Sequence, residues 1–168
     1  MATAARAFLE NYKHGDFKPE RELINGELIP KPMGTLAHMN MERRIEHLLE
    51  RFEEEGRGTV VRELSICRGE DVRIPDLVFV LPEARFEDGF LIDPPHICLE
   101  VLSPSQSPKE LFVKCEAYHQ WGAPYCWVID PIKKVVWEYH KDSALRILWE
   151  EDDLTAGDIA IPVARIFN

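Results

Sequence analysis

The sequence predicts an α/β protein in which a mixed β-sheet is flanked by α-helices and preceded by an N-terminal β-hairpin. Three observations predict this class. Asn25-Gly26 separates two short alternating runs, residues 41–52 carry apolar side chains at helical spacing, and residues 77–81 and 97–102 form apolar runs of strand length. Because hairpin, helices and strands alternate along the chain, a sheet covered by helices would bury their apolar faces.

A hairpin and a helix form the first part of the fold. Asn25-Gly26 favours the left-handed backbone angles of a type I′ turn, so residues 21–30 are expected to form the hairpin. Thr35 is the expected N-cap of the helix that follows, and Gly56 ends that helix. Its inward stripe contains Met41, Ile45, Leu48, Leu49 and Phe52. His38 lies on the same side of the helix and is expected to point inward.

The second half of the chain alternates strands with one further helix. Residues 59–66 alternate as a half-buried strand, and residues 108–121 are expected to form a helix that begins after Ser107 and ends at Gly122. Further strands are expected at residues 77–81, 97–102, 125–129, 135–139 and 145–149. The aromatic side chains of these later strands fit packed core faces better than a platform for stacked bases: Trp127, Trp137, Tyr139 and Trp149.

The composition indicates a cytoplasmic protein of one domain, residues 1–168. A length of 168 residues with 45% hydrophobic residues suits one core. The longest apolar stretch, residues 77–81, is too short to span a bilayer, and no signal peptide is recognisable. The four cysteines stand singly, so they are interpreted as reduced core residues rather than as a zinc site.

The charge of the chain limits the partners that it can bind unaided. Its 30 acidic and 20 basic residues give a net charge of −10. This charge opposes the capture of DNA, whose phosphates are negative. A nucleic-acid-binding protein of this composition therefore needs locally basic residues, a divalent cation, or a protein partner that supplies the missing positive charge.

Two carboxylates interrupt the most apolar parts of the chain. Asp76 precedes the run 77–81, and Glu100 lies inside the run 97–102. An ionised carboxylate that is buried without a partner costs several kcal/mol, so each is expected to be paired or bound to a metal. If the two strands are neighbours, Asp76 and Glu100 can converge on a hard cation such as Mg²⁺. Otherwise Asp76 caps a turn and Glu100 forms a buried salt bridge.

The following helix adds a lysine to this pair. Glu110, Lys114 and Tyr118 recur every four residues and share one face of the helix. From that face Lys114 can reach back toward Glu100, where it can position an attacking water or offset the charge of a phosphate. A surface ion pair between Glu110 and Lys114 is the plainer interpretation.

These motifs stand in an order that resembles a known family. They are residues 73–80 with Asp76, residues 99–105 with Glu100, Lys114 with Tyr118 and Gly122, and residues 125–131. Together with the hairpin and the entry to the first helix, they resemble the Uma-type family of restriction endonucleases, long catalogued as a domain of unknown function. That family belongs to the PD-(D/E)XK nuclease superfamily. The resemblance implies a restriction-endonuclease-like fold and one nuclease-like domain over residues 1–168.

The resemblance also implies roles for individual residues. Asp76 and Glu100 would bind the metal, Mg²⁺ or Mn²⁺, with the main-chain carbonyl of Val101 as a third ligand. Leu102 stands where the superfamily usually has its lysine. Uma-type proteins carry that lysine on the next helix, here as Lys114, which would complete the reaction centre.

Three further positions match the family less directly. Glu110 stands where family members tend to have an aspartate, four residues before the lysine. Glu27 and His38 match an acidic residue and a histidine of the family's N-terminal region, and both would join the catalytic residues in one cleft. A structural role for His38 is equally consistent with the sequence.

The implied function is metal-dependent cleavage of phosphodiester bonds in nucleic acid, with DNA as the expected substrate. A homodimer that cuts both strands and a protein partner that supplies affinity for DNA are both consistent with the sequence. The alternative is a nuclease-fold module with little or no activity that binds or regulates a partner, which the acidic composition favours. A hydrolase of small phosphoesters is a third interpretation, because fold does not fix substrate.

Overall fold

The structure, a computed structural model, describes residues 5–8, 10 and 20–168. Its helices beyond residue 20 are α1 (Leu36–Glu54), α2 (Pro108–Trp121) and α3 (Ala164–Phe167), and residues 5–8 are also helical. The strands are β1 (Arg21–Ile24), β2 (Glu27–Pro30), β3 (Thr59–Arg62), β4 (Ile66–Arg68), β5 (Asp71–Arg73), β6 (Leu77–Val80), β7 (Phe86–Glu87), β8 (Phe90–Leu91), β9 (Ile97–Val101), β10 (Tyr125–Asp130), β11 (Val135–His140), β12 (Arg146–Leu148), β13 (Asp153–Ala156) and β14 (Ile159–Pro162).

The main sheet has the strand order β12-β11-β10-β9-β6-β3. It is mixed, because β9 and β10 are parallel while the other neighbours are antiparallel. A parallel pair needs a crossover connection, which α2 provides between β9 and β10. A second sheet has the order β2-β1-β5-β4-β8-β7, and β13 pairs with β14. The predicted mixed sheet, flanking helices and N-terminal hairpin are confirmed.

Helices cover both faces of the main sheet. Along β9, Ile97, Leu99 and Val101 join the core that contains the apolar residues of α1 and of the β13–β14 hairpin, whereas Cys98 joins the core beneath α2. Because side chains alternate along a strand, Glu100 shares the face of Cys98 and points toward α2. Burial on both faces explains why this strand is almost continuously apolar.

The predicted turn and helix ends are confirmed. Asn25 and Gly26 have φ angles of 51° and 80°, as a type I′ turn requires. The Thr35 side chain caps α1 by accepting a hydrogen bond from the N–H of His38 at 3.3 Å. Gly122, with a φ of 125°, ends α2. The first turn of α1, which carries His38, is thereby fixed.

Helix α2 begins with a capping box. The N–H and the hydroxyl of Ser107 both donate to the carboxylate of Glu110, at 2.6 and 2.7 Å. Pro108 takes the first helical position, where its missing N–H has no helical partner to lose. Glu110 therefore fixes the beginning of the helix, and the surface pair of Glu110 with Lys114 is not formed.

Two expectations from the sequence are wrong. Residues 59–66 do not form one strand, because β3 ends at Arg62, Glu63 takes a left-handed φ of 51°, and β4 begins at Ile66. The break occurs where the chain leaves the main sheet, in which β3 pairs with β6, for the second sheet, in which β4 pairs with β5. Trp149 is 61% exposed instead of packed, because it follows the edge strand β12.

The four cysteines are free and buried, as their single spacing predicted. Cys98, Cys115 and Cys126 pack in the core beneath α2, where they act as small apolar side chains. Within residues 5–8, 10 and 20–168, no helix combines the length and the apolar character needed to cross a membrane.

Candidate active site

Asp76 and Glu100 lie opposite each other at one end of the main sheet. Leu77 of β6 pairs with Leu99 of β9, so one further step along this antiparallel register brings Asp76 to Glu100. Both acids are buried, at 3% and 2% exposure. The backbone N–H of Val101 donates to Oδ2 of Asp76 at 2.7 Å, which fixes this carboxylate beside β9. The expectation that the strands next to Asp76 and around Glu100 are adjacent is confirmed, because β6 pairs with β9.

Two cations neutralise Asp76. The ammonium of Lys31 lies 3.0 Å from Oδ1, and Nε2 of His38 lies 3.2 Å from Oδ2. Burial alone would raise the pKa of Asp76, but the hydrogen bond with His38 and the charge of Lys31 outweigh burial and lower this pKa to about 2. Asp76 is therefore an ionised, buried acceptor at neutral pH.

His38 bridges two carboxylates. It lies in the first turn of α1, and its Nδ1 is 3.2 Å from Oε1 of Glu42, one helical turn later. Burial alone would lower the pKa of His38, but the hydrogen bonds with Asp76 and Glu42 raise it to about 9. The raised pKa favours the charged imidazole at neutral pH, with the carboxylate of Asp76 beside Nε2 and that of Glu42 beside Nδ1.

Lys31 is the second cation beside Asp76. Its side chain is 8% exposed, and its ammonium also lies 3.8 Å from a carboxylate oxygen of Glu63. Burial alone would lower the pKa of Lys31, but the charges of Asp76 and Glu100 raise it above its ordinary value. Lys31 is therefore a buried ammonium that stays charged.

Glu100 receives its partners from α2. The ammonium of Lys114 lies 3.2 Å from Oε2, and the hydroxyl of Tyr118 donates to Oε1 at 2.5 Å. The two partners are one helical turn apart and approach from one face of the helix. Burial raises the pKa of Glu100 to about 7, with Lys114 opposing this rise and the charge of Asp76 adding to it. At neutral pH, Glu100 is therefore less readily ionised than Asp76.

Lys114 also contacts a third buried carboxylate, Glu22 of β1. Its ammonium lies 3.4 Å from Oε1 of Glu22, and the same oxygen accepts the N–H of Ile74 at 2.9 Å. Burial alone would lower the pKa of Lys114, but the charges of Glu100 and Glu22 raise it. Lys114 is therefore a charged group held between carboxylates of the two sheets.

Val101 and Glu27 complete the set of residues named from the sequence. In a strand the N–H and C=O of one residue point to the same side, so the carbonyl of Val101 faces the side on which its N–H binds Asp76. The side chain of Glu27 is exposed on the edge strand β2. The residues brought together are Asp76, Glu100, Val101, Lys114 and His38, and Glu27 lies outside this group.

The buried charged residues described above form one cluster: Glu22, Lys31, His38, Glu42, Asp76, Glu100 and Lys114. This cluster contains ligand atoms suited to a metal ion. Within the described part of the chain, His38, Glu42 and Asp76 each offer one such atom, and these atoms all lie within 4.8 Å of one another. Hard divalent cations prefer oxygen ligands, which the carboxylates of Asp76 and Glu42 supply within this set. The donors present therefore fit a divalent cation, and Asp76 is common to this set and to the set expected from the sequence.

A cavity of about 370 Å³ opens beside Asp76. Its charged lining is Glu20, Lys31, His38, Glu42, Arg62, Glu63 and Asp76. Arg62 also lies 3.6 Å from Glu42. The side from which a ligand can reach Asp76 therefore carries three basic side chains as well as carboxylates, in spite of the acidic composition of the whole chain.

Sequence reasoning missed three charged members of the cluster. Glu42 had a readable signal, because it lies four residues after His38 and so on the same face of α1. Glu22 belongs to the alternating run of the hairpin, and only the contact of the hairpin with α2 reveals that it is buried. Lys31 has no local signal, because its partner Asp76 is distant in the sequence.

The chain is similar to one protein family and to a solved structure. A family model named Uma2 and described as "Putative restriction endonuclease" matches residues 8–164. A crystal structure from Anabaena variabilis, described as "a putative nuclease belonging to DUF820", matches with a TM-score of 0.79 and 20% sequence identity, over 90% of this chain and 91% of that chain. At this identity the structural similarity shows the fold alone. No curated protein matches the chain.

Proposed function

The chain belongs to the Uma2 family, and from this premise we propose that it is a metal-dependent endonuclease that hydrolyses the phosphodiester bonds of DNA. Family membership supports a nuclease that acts on nucleic acid. The single observation that carries the finer proposal is the juxtaposition of Asp76 and Glu100, buried at one end of the main sheet.

Buried acids of this kind are costly in a protein that does not use them. Removal of a carboxylate from water costs several kcal/mol, and apolar residues of similar volume are often at least as stable in its place. Glu22, Glu42, Asp76 and Glu100 are nonetheless all buried, at 2–3% exposure. Four such acids with matching cations in one cluster support a functional role over a purely structural one.

The proposed metal ligands are Asp76, Glu100 and the main-chain carbonyl of Val101, and the ion is Mg²⁺ or Mn²⁺. Glu42 lies close enough to Asp76 to contribute to the same site, whereas His38 can do so only after it loses its proton. When bound, such an ion polarises a phosphoryl group and lowers the pKa of a water. Asp76 is suited to this task because it is ionised at neutral pH.

The remaining residues would bind and orient the reactants. Lys114 is suited to position the attacking water and to offset charge on the phosphate, because its ammonium is held beside Glu100. His38 orients Asp76 through Nε2 and lines the cavity beside it. For Glu27, only the family resemblance supports a catalytic role, because its side chain is exposed on β2.

The domain, the substrate and the partners of the nuclease belong to the same proposal. Residues 1–168 form one nuclease domain of a cytoplasmic protein, and DNA is its substrate. A net charge of −10 opposes long-range attraction of DNA. The proposal therefore includes a protein partner that supplies affinity, or a second copy of this chain that supplies a second site for the other strand.

Cleavage of a DNA duplex in the presence of Mg²⁺ or Mn²⁺ tests the proposal. Asp76→Asn and Glu100→Gln each remove one charge at nearly constant size, so each is expected to reduce cleavage by about 100-fold or more. Glu138→Gln is the matched control, because Glu138 is 1% exposed but binds Arg146 and Thr155 on the other face of the main sheet. Wild-type protein that cleaves no DNA with either ion, even at low salt and high protein concentration where weak DNA affinity does not limit cleavage, contradicts the proposal, as does an equal loss in the control.

A second candidate is a nuclease-fold module that binds a partner without cleaving DNA. The net charge of −10 favours it, because DNA is repelled. Calorimetric titration with Mn²⁺ separates the two candidates. The nuclease is expected to bind Mn²⁺ with a heat that Asp76→Asn and Glu100→Gln abolish, whereas a module without a metal site shows no heat that depends on these acids.

A further inference from the structure

The cluster contains two lysines, one for each of the two central acids. The ammonium of Lys31 lies 3.0 Å from Asp76, and that of Lys114 lies 3.2 Å from Glu100. The family resemblance points to Lys114, whereas no sequence motif marks Lys31. The surroundings of the two ammonium groups differ, and this difference suggests separate tasks.

Lys31 lines the cavity beside Asp76, and Lys114 is not among the lining residues. The ammonium of Lys114 is held by two buried carboxylates within 3.4 Å. Lys31 has one close carboxylate, that of Asp76, and a weaker contact with Glu63, whose side chain is 47% exposed. Of the two lysines, Lys31 is therefore the one that an anion in this cavity can contact.

The backbone of Lys31 is fixed, while its long side chain has several rotatable bonds. The residue stands between Pro30 and Pro32, and its N–H donates to the carbonyl of Glu20 at 2.7 Å. A lysine side chain is a flexible stem that ends in a compact charge with three donors. The ammonium can therefore exchange Asp76 for another nearby anion without a rearrangement of the fold.

A divalent cation bound to Asp76 would favour the movement of the Lys31 ammonium from Asp76 to another anion. A divalent cation on Asp76 and the ammonium of Lys31 repel each other, and such repulsion is strong between buried charges a few ångströms apart. A phosphate in the cavity offers the displaced ammonium an anionic partner, since lysines bind phosphates as point charges.

We propose that Lys31 is a second catalytic lysine, whose ammonium moves from Asp76 to a non-bridging oxygen of the scissile phosphate. This inference rests on the proposed nuclease function and adds to it a residue outside the sequence motifs. Lys31 stabilises the charge of the phosphate on the cavity side, while Lys114 remains beside Glu100. No covalent bond to Lys31 is formed or broken.

Two measurements on the full chain test this role: cleavage of a DNA duplex with Mn²⁺, and Mn²⁺ binding by calorimetry without DNA. Lys31→Met keeps the bulk of the side chain and removes its charge, so kcat is expected to fall about 100-fold. Its affinity for Mn²⁺ is expected to stay at least as tight as in the wild type, because a competing cation is gone. Lys31→Arg is expected to recover part of the cleavage, since a guanidinium also binds phosphate.

A surface lysine provides the control. Lys133 is exposed in the turn between β10 and β11, so Lys133→Met is expected to cleave DNA and bind Mn²⁺ as the wild type does. If Lys31→Met does not fold, Lys31→Gln gives the same two readouts, because its amide can still donate a hydrogen bond to Asp76.

The outcomes separate this role from the function on which it rests. A wild type that cleaves no DNA overturns both. If the wild type cleaves and Lys31→Met retains cleavage within about threefold, only the role of Lys31 is wrong. If Lys31→Met loses Mn²⁺ affinity in parallel with cleavage, Lys31 holds Asp76 in position and does not contact the phosphate.

Discussion

Asp76 accepts a hydrogen bond from the backbone N–H of Val101, the residue that follows Glu100 on the neighbouring strand. This bond ties one acid of the central pair to the main chain that carries the other. The two acids therefore cannot separate without disturbing the pairing of β6 with β9. Their basic partners lie on other elements: Lys31 on the loop after β2, His38 on α1 and Lys114 on α2. Substitutions of the acids and of the basic residues should therefore have separable effects on stability and activity.

Glu100 is expected to make the metal-free protein less stable as the pH rises. Its pKa is about 7 in the folded protein, against 4.5 in the unfolded chain. The folded state therefore holds more protons between these values, and the free energy of unfolding falls with rising pH. Glu100→Gln removes this dependence, a difference on the order of 3 kcal/mol above pH 7. Urea unfolding with EDTA at about pH 5 and about pH 8 measures it, and identical pH profiles of wild type and variant would contradict it.

His38 is expected to stabilise the metal-free protein at neutral pH but not in strong base. Its pKa rises from 6.5 in the unfolded chain to about 9 in the folded protein. Its contribution is therefore complete below pH 6.5 and is lost as the pH rises through 9. His38→Asn should cost most stability at the low end of this range, as measured by urea unfolding across it. His47→Asn is the control, because His47 lies on the same helix with its side chain 78% exposed. An equal effect of pH on the stability of this variant would contradict the prediction.

Tyr118→Phe is expected to destabilise the protein through Glu100. The variant removes the hydroxyl that donates to Oε1 of Glu100 and leaves a buried acid with one partner fewer. The expected loss in the free energy of unfolding is about 1–3 kcal/mol. Tyr139→Phe is the matched control, because the Tyr139 hydroxyl binds Glu116 at the surface, where such contacts contribute about 1 kcal/mol or less. Equal losses in the two variants would show that burial of the bond is unimportant.

Mn²⁺ is expected to raise the melting temperature through Asp76 and Glu100. An ion that binds only the folded state at about 100 times its Kd adds about 2.7 kcal/mol, or roughly 5–10 °C in Tm for a chain of this length. Asp76→Asn should abolish the shift in melting temperature. Glu138→Gln should retain it, because the carboxylate that it removes lies on the other face of the main sheet. Thermal unfolding with and without Mn²⁺ measures the difference, and a full shift in Asp76→Asn would place the ion elsewhere.

The centre of the site was predictable because its signals are local. Asp76 and Glu100 stand out as charges next to or within apolar runs, and strand alternation gives the face of Glu100. Helical spacing then brings Lys114 and Tyr118 to one side of α2. The structure places all four in the expected neighbourhood, and only the pairing of β6 with β9 had to be assumed.

The rest of the cluster could not be predicted, because it depends on packing between distant segments. Lys31 and Glu22 come from the hairpin region: Lys31 is buried against Asp76, next to the main sheet, and Glu22 is buried against Lys114 of α2. The break at Glu63 has a similar cause, since it marks the passage of the chain from one sheet to the other. No glycine marks this left-handed residue, so a local pattern suggested a continuous strand.

The capping box of α2 limits where the chain can change in length. Because Ser107 and Glu110 set the start of the helix, Lys114 and Tyr118 reach Glu100 with a fixed rotational phase. An amino acid inserted in the loop before Ser107 leaves this phase unchanged. One inserted between Glu110 and Lys114 turns the lysine by about 100° around the helix axis and away from the acid. Insertions and deletions are therefore tolerable ahead of the helix but not within its first turns.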